Sequence, residues 1–189
     1  MVYVKKKSIN KYGKISMRIR LITGLIAVVI VSGLFYACDD NDLGKLRERE
    51  LELLDQFIQK NNITVKPTKT GLYFIETVAG TGDSIKVGDQ VDVLYRTWLI
   101  DSTLVDFNIT EEGHYYDPLR FAVVPVGVRA GVIDGLNEAV QMMKMGSVAN
   151  LIVPSEIAYG QNGSGYIPAF STMLFEVRIH KVYRASESN

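Results

Sequence analysis

The chain has 189 residues, with 21 Lys+Arg against 21 Asp+Glu, 47% apolar residues and a single cysteine. This is an ordinary globular composition for one domain, and it excludes a disordered chain, a collagen-like repeat and a disulfide-stapled scaffold. The zero formal charge conceals an asymmetry: the first 37 residues hold seven bases (Lys5, Lys6, Lys7, Lys11, Lys14, Arg18, Arg20) and no acid, which leaves 14 bases against 21 acids, net −7, in the rest. An acidic body argues against a nucleic-acid partner.

The basic head runs into an uncharged apolar stretch, Leu21 to Ala37, the pattern of a targeting segment. Its length sits at the lower edge of what crosses a bilayer core of about 30 Å, so a single membrane-spanning anchor is the competing reading. The stretch ends Leu34-Phe35-Tyr36-Ala37-Cys38 and turns acidic at Asp39, Asp40 and Asp42. A small residue directly before the only cysteine resembles the lipobox of bacterial lipoproteins, of the loose kind found in Bacteroidetes; Phe35 and Tyr36 depart from the usual leucine and small residue. The resemblance implies cleavage before Cys38, lipidation of Cys38 and a lipid-anchored place in the cell envelope. Residues 1–37 are then a signal peptide, started at Met1 or Met17, and residues 38–65 the lipidated cysteine, an acidic linker and a helix. In the competing reading Cys38 is an inert thiol; a redox role has no resolving partner.

From Leu43 to about Asn61 helix formers dominate, with Leu51, Leu54 and Ile58 at i, i+3 and i+7, widened by Leu43, Leu46, Leu53 and Phe57. Glu48, Arg49, Glu52, Asp55 and Gln59 fall on the opposite side. Arg47 and Glu50 interrupt the apolar side, although at i, i+3 they can pair. Asn61-Asn62 is the expected stop, and Pro67 forbids continuation. Such an amphipathic helix docks on its own domain, stands as a stalk, or pairs with a second copy into a homodimer.

After Pro67 the pattern becomes short β-rich runs divided by glycine turns. Strands are expected over Leu72 to Val78, Gln90 to Ile100, Phe121 to Val126, Val148 to Val153 and Met173 to Val182, the last presenting Met173, Phe175, Val177 and Ile179 on one face. One helix is expected from Asp134 to Met145, capped by Asp134 and ended by Gly146, with Leu136, Ala139, Val140 and Met143 on one face. Several antiparallel strands and one helix bury a core when the helix lies across a sheet face, so the fold class is α+β over residues 66–185, with 186–189 a tail.

His114 and His180 are far apart and have no Cys or Glu at ligand spacing, so neither a metal nor another cofactor is expected. Gly160, Gly163 and Gly165 surround Gln161-Asn162 and Ser164, but no GxGxxG opens a helix and no Walker lysine follows. No glycine-elbow serine has a His and Asp set. What remains is Ala158-Tyr159-Gly160, a glycine loop, Ile167-Pro168 and a strand carrying Phe175, residues suited to lining an apolar cavity with few polar groups.

Those pieces, with Gly88-Asp89, Val91, Val93, Tyr95, then Val132-Ile133-Asp134-Gly135-Leu136, Met143, Gly146, Pro154 to Gly160 and Leu174-Phe175-Glu176-Val177, are similar to the FKBP family of peptidyl-prolyl isomerases and stand in the family's order. The resemblance implies a twisted antiparallel half-barrel sheet wrapped on one short helix, here preceded by the N-terminal amphipathic helix. It implies rotation of X-Pro bonds in proline-containing polypeptides, in this setting exported ones. It also implies a proline pocket lined by Tyr95, Asp106, Val132, Ile133, Tyr159, Ile167 and Phe175 and floored by Leu136. In that analogy the Ile133 N–H and the Tyr159 hydroxyl bond ligand carbonyls, and Asp106 lies near the twisting amide, which makes Asp106 and Tyr159 the catalytic pair. Four positions depart from the family's pattern: Val105 and Leu119 replace aromatics, Leu136 replaces an indole and Ser164 a common histidine. The segment Phe107 to Asp117 is longer than usual, and its Tyr115-Tyr116 is expected at the pocket mouth. A different class of function, a non-catalytic proline-binding or chaperone module, is the alternative.

Overall fold

A computed structural model describes residues 40–185. The expected signal peptide 1–37, both candidate starts, Cys38 and the tail 186–189 lie outside the described residues. By its contacts the chain divides into two units, Met1–Gly44 and Lys45–Asn189, and the sheet with its packed helices belongs to the second.

The elements, in order, are α1 (Asp40–Lys60), β1 (Tyr73–Val78), β2 (Thr81–Ser84), β3 (Gln90–Leu99), β4 (Leu104–Phe107), β5 (Leu119–Ala122), α2 (Asp134–Gln141), β6 (Lys144–Met145), β7 (Val148–Val153) and β8 (Met173–Tyr183), with 3₁₀ turns at Ser155–Ile157 and Gly160–Asn162. Every strand pair is antiparallel. One six-stranded sheet runs β1-β7-β8-β3-β4 with β5 also on β3, and β2 pairs with β6. Among the described residues no helix is long and apolar enough to cross a membrane.

The α+β expectation holds because the alternation is read out directly. On β8, Met173, Phe175, Val177 and Ile179 are buried, and across the sheet Val93 stands opposite Ile179 and Leu151 opposite Phe175. Helix α2 closes this face with Leu136, Ala139 and Val140. Gly135 permits the approach, since a Cβ there would stand 2.5 Å from Val153 Cγ1 and 3.2 Å from Ile157 Cδ1.

Three expected boundaries are corrected. Helix α2 ends at Gln141, because Lys144 and Met145 leave it to pair with Ser84 and Thr81; Gly146, at φ +79°, turns the chain into β7 instead of ending the helix. Asp134 lies in the first turn of α2, and the cap residue is Ile133, without a side-chain bond. The strand expected at Phe121 to Val126 sits earlier, at Leu119–Ala122, and Val124 beyond it exchanges hydrogen bonds with the buried Asn137 amide of α2 (3.1 and 3.0 Å).

Helix α1 ends where expected. Asn62 takes the left-handed conformation (φ 52°), and the Ile63 N–H closes onto the Ile58 carbonyl at 3.0 Å. Its inward face differs from the leucine stripe. Glu50 (3% exposed) and Leu54 are buried, whereas Leu46, Leu51 and Leu53 are exposed, because the helix docks through a carboxylate as well as through hydrocarbon.

Candidate active site

The sheet, the head of α2 and the long connection 154–172 converge on one group of side chains. Tyr95 projects from the core-facing side of β3, and its ring lies 6.5 Å from that of Phe175 on β8, tilted by 50°. Asp106, on the edge strand β4, accepts a hydrogen bond from the Tyr95 hydroxyl at 2.5 Å. Burial, together with that bond and the negative charge of Asp106, pushes the Tyr95 phenol well above its ordinary value, so it is a neutral donor across the physiological range. Tyr159 stands between the two 3₁₀ turns, and burial, then the charge of Asp106, raises its phenol as well. One exposed carboxylate thus binds one half-buried hydroxyl, that of Tyr95, and its charge is felt by a second, that of Tyr159.

The apolar and aromatic residues expected to line the pocket lie in the core cluster of the domain or pack against it. Leu136, Ile167 and Phe175 are buried in the core cluster, at 3%, 8% and 6% exposure, and Tyr95, Val105, Leu119, Val132, Ile133 and Tyr159 pack against it half-buried. Val105 immediately precedes Asp106 on β4, and Leu119 pairs with Val93 across β3 and β5. Val132 and Ile133 lead into α2, where the Ile133 carbonyl accepts from Leu136 and Asn137 (3.1 and 3.2 Å).

Ile167 owes its place to a tight reversal in which Ser164 and Ile167 exchange backbone bonds at 3.0 and 2.8 Å, leaving Tyr166 fully exposed. Ser164, where the family often has histidine, is therefore a turn residue. Gly163 closes this reversal from below with φ 62° and ψ −165°, a region open to glycine alone, and any Cβ there would strike the Ile167 carbonyl and Pro168.

Two placements were not readable from the sequence. Asn108 is 7% exposed and fastens β3 to the segment beyond β4: its carbonyl accepts from the Tyr95 N–H (2.7 Å), and its amide donates to the Val93 carbonyl (2.9 Å). The signal available was weak, an Asn in an apolar Phe107-Asn108-Ile109 run. The other is the destination of Tyr115 and Tyr116. Tyr115 packs against His180 with ring centroids 4.8 Å apart and tilted, on the outer face of β8, so it does not stand at the mouth; Tyr116 packs edge-on to Phe107 (6.3 Å). A bridge between Ile109 and Tyr115 folds the long 107–117 segment back on itself, which carries Tyr115 to the outside.

Chemically the group offers an apolar wall, the Tyr159 phenol as a donor, and the Asp106 carboxylate, which already accepts the Tyr95 proton. It contains no nucleophile beside a general base.

Known proteins share this fold. The family model for FKBP-type peptidyl-prolyl cis-trans isomerase matches residues 82–180. The chain is 37% identical over 119 residues to the FKBP-type 22 kDa peptidyl-prolyl cis-trans isomerase of Escherichia coli K12, covering 62% of this chain and 53% of that one. It is 34% identical over 125 residues to FkpA of the same strain, covering 66% and 43%. The crystal structure of FkpA from Escherichia coli superposes with a TM-score of 0.62 at 27% identity, covering 95% of this chain and 76% of that one. The chain spans about half the length of the curated relatives it matches. With half the chain inside the family model, a shared fold and these relatives, the protein belongs to the FKBP-type peptidyl-prolyl cis-trans isomerase family.

Proposed function

We propose that the protein is a peptidyl-prolyl cis-trans isomerase acting on X-Pro bonds of exported polypeptides in the bacterial envelope. The observation that carries the reading is the apposition of Tyr95, Asp106, Tyr159 and Phe175 over a buried apolar wall in a chain of this family.

Rotation about the amide faces a barrier of about 18–20 kcal/mol because the planar bond is resonance-stabilised. Twisting removes the delocalisation and its charge separation, so an apolar slot disfavours the planar ground state relative to the twisted transition state. A thousandfold acceleration needs only about 4 kcal/mol of such differential binding. Phe175, Ile167 and Leu136 supply the apolar contact to the proline ring. The neutral Tyr159 hydroxyl and the Ile133 N–H hold the flanking carbonyls, and Asp106, oriented by Tyr95, faces the rotating amide. No cofactor or ATP is consumed, which suits an exported compartment, where uncatalysed isomerisation takes about 10–100 s.

The test uses the full chain in detergent. Tyr159→Phe combined with Asp106→Ala is expected to cut turnover at least about tenfold, or about 1.4 kcal/mol, in a protein that stays folded. Unchanged turnover in the folded double variant sinks the site assignment.

The envelope reading includes the lipid anchor at Cys38, supported by the basic and apolar leader and the small residue before the cysteine. Incorporation of a palmitate analogue that is lost in Cys38→Ala is the expected result; labelling that persists in the variant refutes it. The domain limits 66–185 belong to the same reading.

A second reading, a binding module with a helix-borne homodimer, is favoured by the exposure of Leu46, Leu51 and Leu53 on α1 and by Val105 and Leu119 in the pocket wall. Sedimentation as a monomer in non-interacting detergent counts against the dimer.

A further inference from the structure

Strands β7 and β8 close as a pair at Val153 opposite Met173, and the connection between them, 154–172, carries both Tyr159 and Ile167. Connections longer than about 12–15 residues without regular strands or helices of their own are uncommon, and they depend on their own bonds for a single shape. Here the two arms are tied to each other by the Phe170 N–H, which donates to the Gly160 carbonyl at 2.9 Å. They are tied a second time, at the root, by a residue from elsewhere in the chain.

That residue is Glu50 of α1. One carboxylate oxygen accepts the Ser155 N–H (2.7 Å) and the Thr172 hydroxyl (2.9 Å), and the other accepts the Ser155 hydroxyl (2.6 Å). Ser155 and Thr172 lie just outside the last β7–β8 pair, so one carboxylate clasps the point at which the connection leaves the sheet and the point at which it returns. Arg47 closes the second oxygen at 2.5 Å and also pairs with Glu156 on the same 3₁₀ turn. A carboxylate 3% exposed is costly to bury unless its bonds to water are replaced, and all four replacements here are in place. Hydrocarbon alone would dock an amphipathic helix; a fork of directed bonds additionally fixes the spacing of the two loop roots.

We propose that Glu50 is a positioning residue of the isomerase site, holding Ser155 and Thr172 together so that the connection presents Tyr159 and Ile167 to the proline ring in one geometry. The N-terminal helix is then a part of the active-site scaffold instead of a spacer. The proposal rests on the isomerase reading above, and its test separates the two.

In the full chain in detergent, Glu50→Ala is compared with Glu52→Ala, which removes an exposed carboxylate of the same helix that, among the described residues, is bonded only to Gln56. Glu50→Ala is expected to lower kcat/KM for a short X-Pro peptide about tenfold, equivalent to about 1.4 kcal/mol. It is also expected to move the backbone amide signals of Tyr159 and Ile167, whereas Glu52→Ala leaves rate and signals as in the parent. Glu50→Gln keeps an acceptor for the Ser155 N–H and recovers part of the rate. Equal rates in the Glu50→Ala and Glu52→Ala proteins with unmoved Tyr159 and Ile167 signals overturn the proposal. Should Glu50→Ala not fold, Ser155→Ala with Thr172→Val removes two of the bonds while leaving Glu50 and Arg47 paired, and the same two readouts decide. If the parent protein itself does not accelerate exchange, the isomerase reading falls, while the amide signals still report whether Glu50 sets the geometry of the connection.

Discussion

The hydrogen bond between Tyr95 and Asp106 allows the site to be tested quantitatively. At 2.5 Å it joins a neutral phenol to a carboxylate, and bonds to charged groups are worth about 1.5–3 kcal/mol net. Asp106 is exposed, which argues for the lower end, about 1.5 kcal/mol. Tyr95→Phe keeps the ring that packs 6.5 Å from Phe175 and removes only the hydroxyl. If the hydroxyl acts by orienting the carboxylate, Tyr95→Phe and Asp106→Ala should each lower kcat/KM about tenfold, and the double variant should lose little more than either one. The assay is cis/trans exchange of an X-Pro peptide at fixed temperature, with chemical unfolding run on all four proteins to confirm a shared native state. A double variant about a hundredfold down, the product of the single effects, would refute the idea that the two residues act as one unit.

Other perturbations probe the supports. Asn108→Ala orphans the Tyr95 N–H and the Val93 carbonyl inside the protein and should cost about 3 kcal/mol in a denaturant titration; a loss under about 1 kcal/mol would show that water replaces the amide. Gly163→Ala, forced into a glycine-only conformation against Ile167 and Pro168, should cost about 1–3 kcal/mol and weaken binding of a proline peptide, while unaltered stability and affinity would show that the reversal is not held as described. Acid should destabilise the fold. Burial tends to raise Glu50 and Asp89, but the bonds from Ser155, Arg47 and Thr172, and from Lys86, Ala185 and Arg184, bring both below their ordinary values; Arg120 chiefly, against burial, does the same for Asp92. Folded values below the unfolded ones mean stability that is complete above the ordinary 3.8 and 4.5 and is lost as pH falls through the folded values. The urea midpoint should therefore hold between about pH 7 and pH 6 and drop toward about pH 3, and a midpoint unchanged at pH 3 would contradict these three anchors.

The parts of the fold that were legible in the sequence are those whose physics is local. Alternation on β8 named its buried residues because a strand's faces follow a period of two, and Ile167 and Phe175, expected from neighbouring pieces of sequence to share an apolar surface, lie in one core cluster. Helix α1 was found by its periodicity, and the i, i+3 pairing of Arg47 with Glu50 was legible, yet its buried face was not, since the other partners of Glu50, Ser155 and Thr172, lie 105 and 122 residues away and no local pattern encodes them. Strands β2 and β6 were missed for a related reason: four exposed residues pairing with two carry no apolar alternation, and only the pairing makes them strands. The overextended α2 has the same cause. Met143 keeps the helical period and is fully buried, but the chain has already left the helix to reach β6.

The most direct test of the central claim is exchange spectroscopy on a short X-Pro peptide with catalytic amounts of the full chain in detergent. The account predicts cis/trans exchange accelerated well above the spontaneous rate and abolished by a ligand that fills the slot over Phe175 and Ile167. Peptide bound with its exchange rate unchanged would contradict it, and would leave the slot as a recognition site.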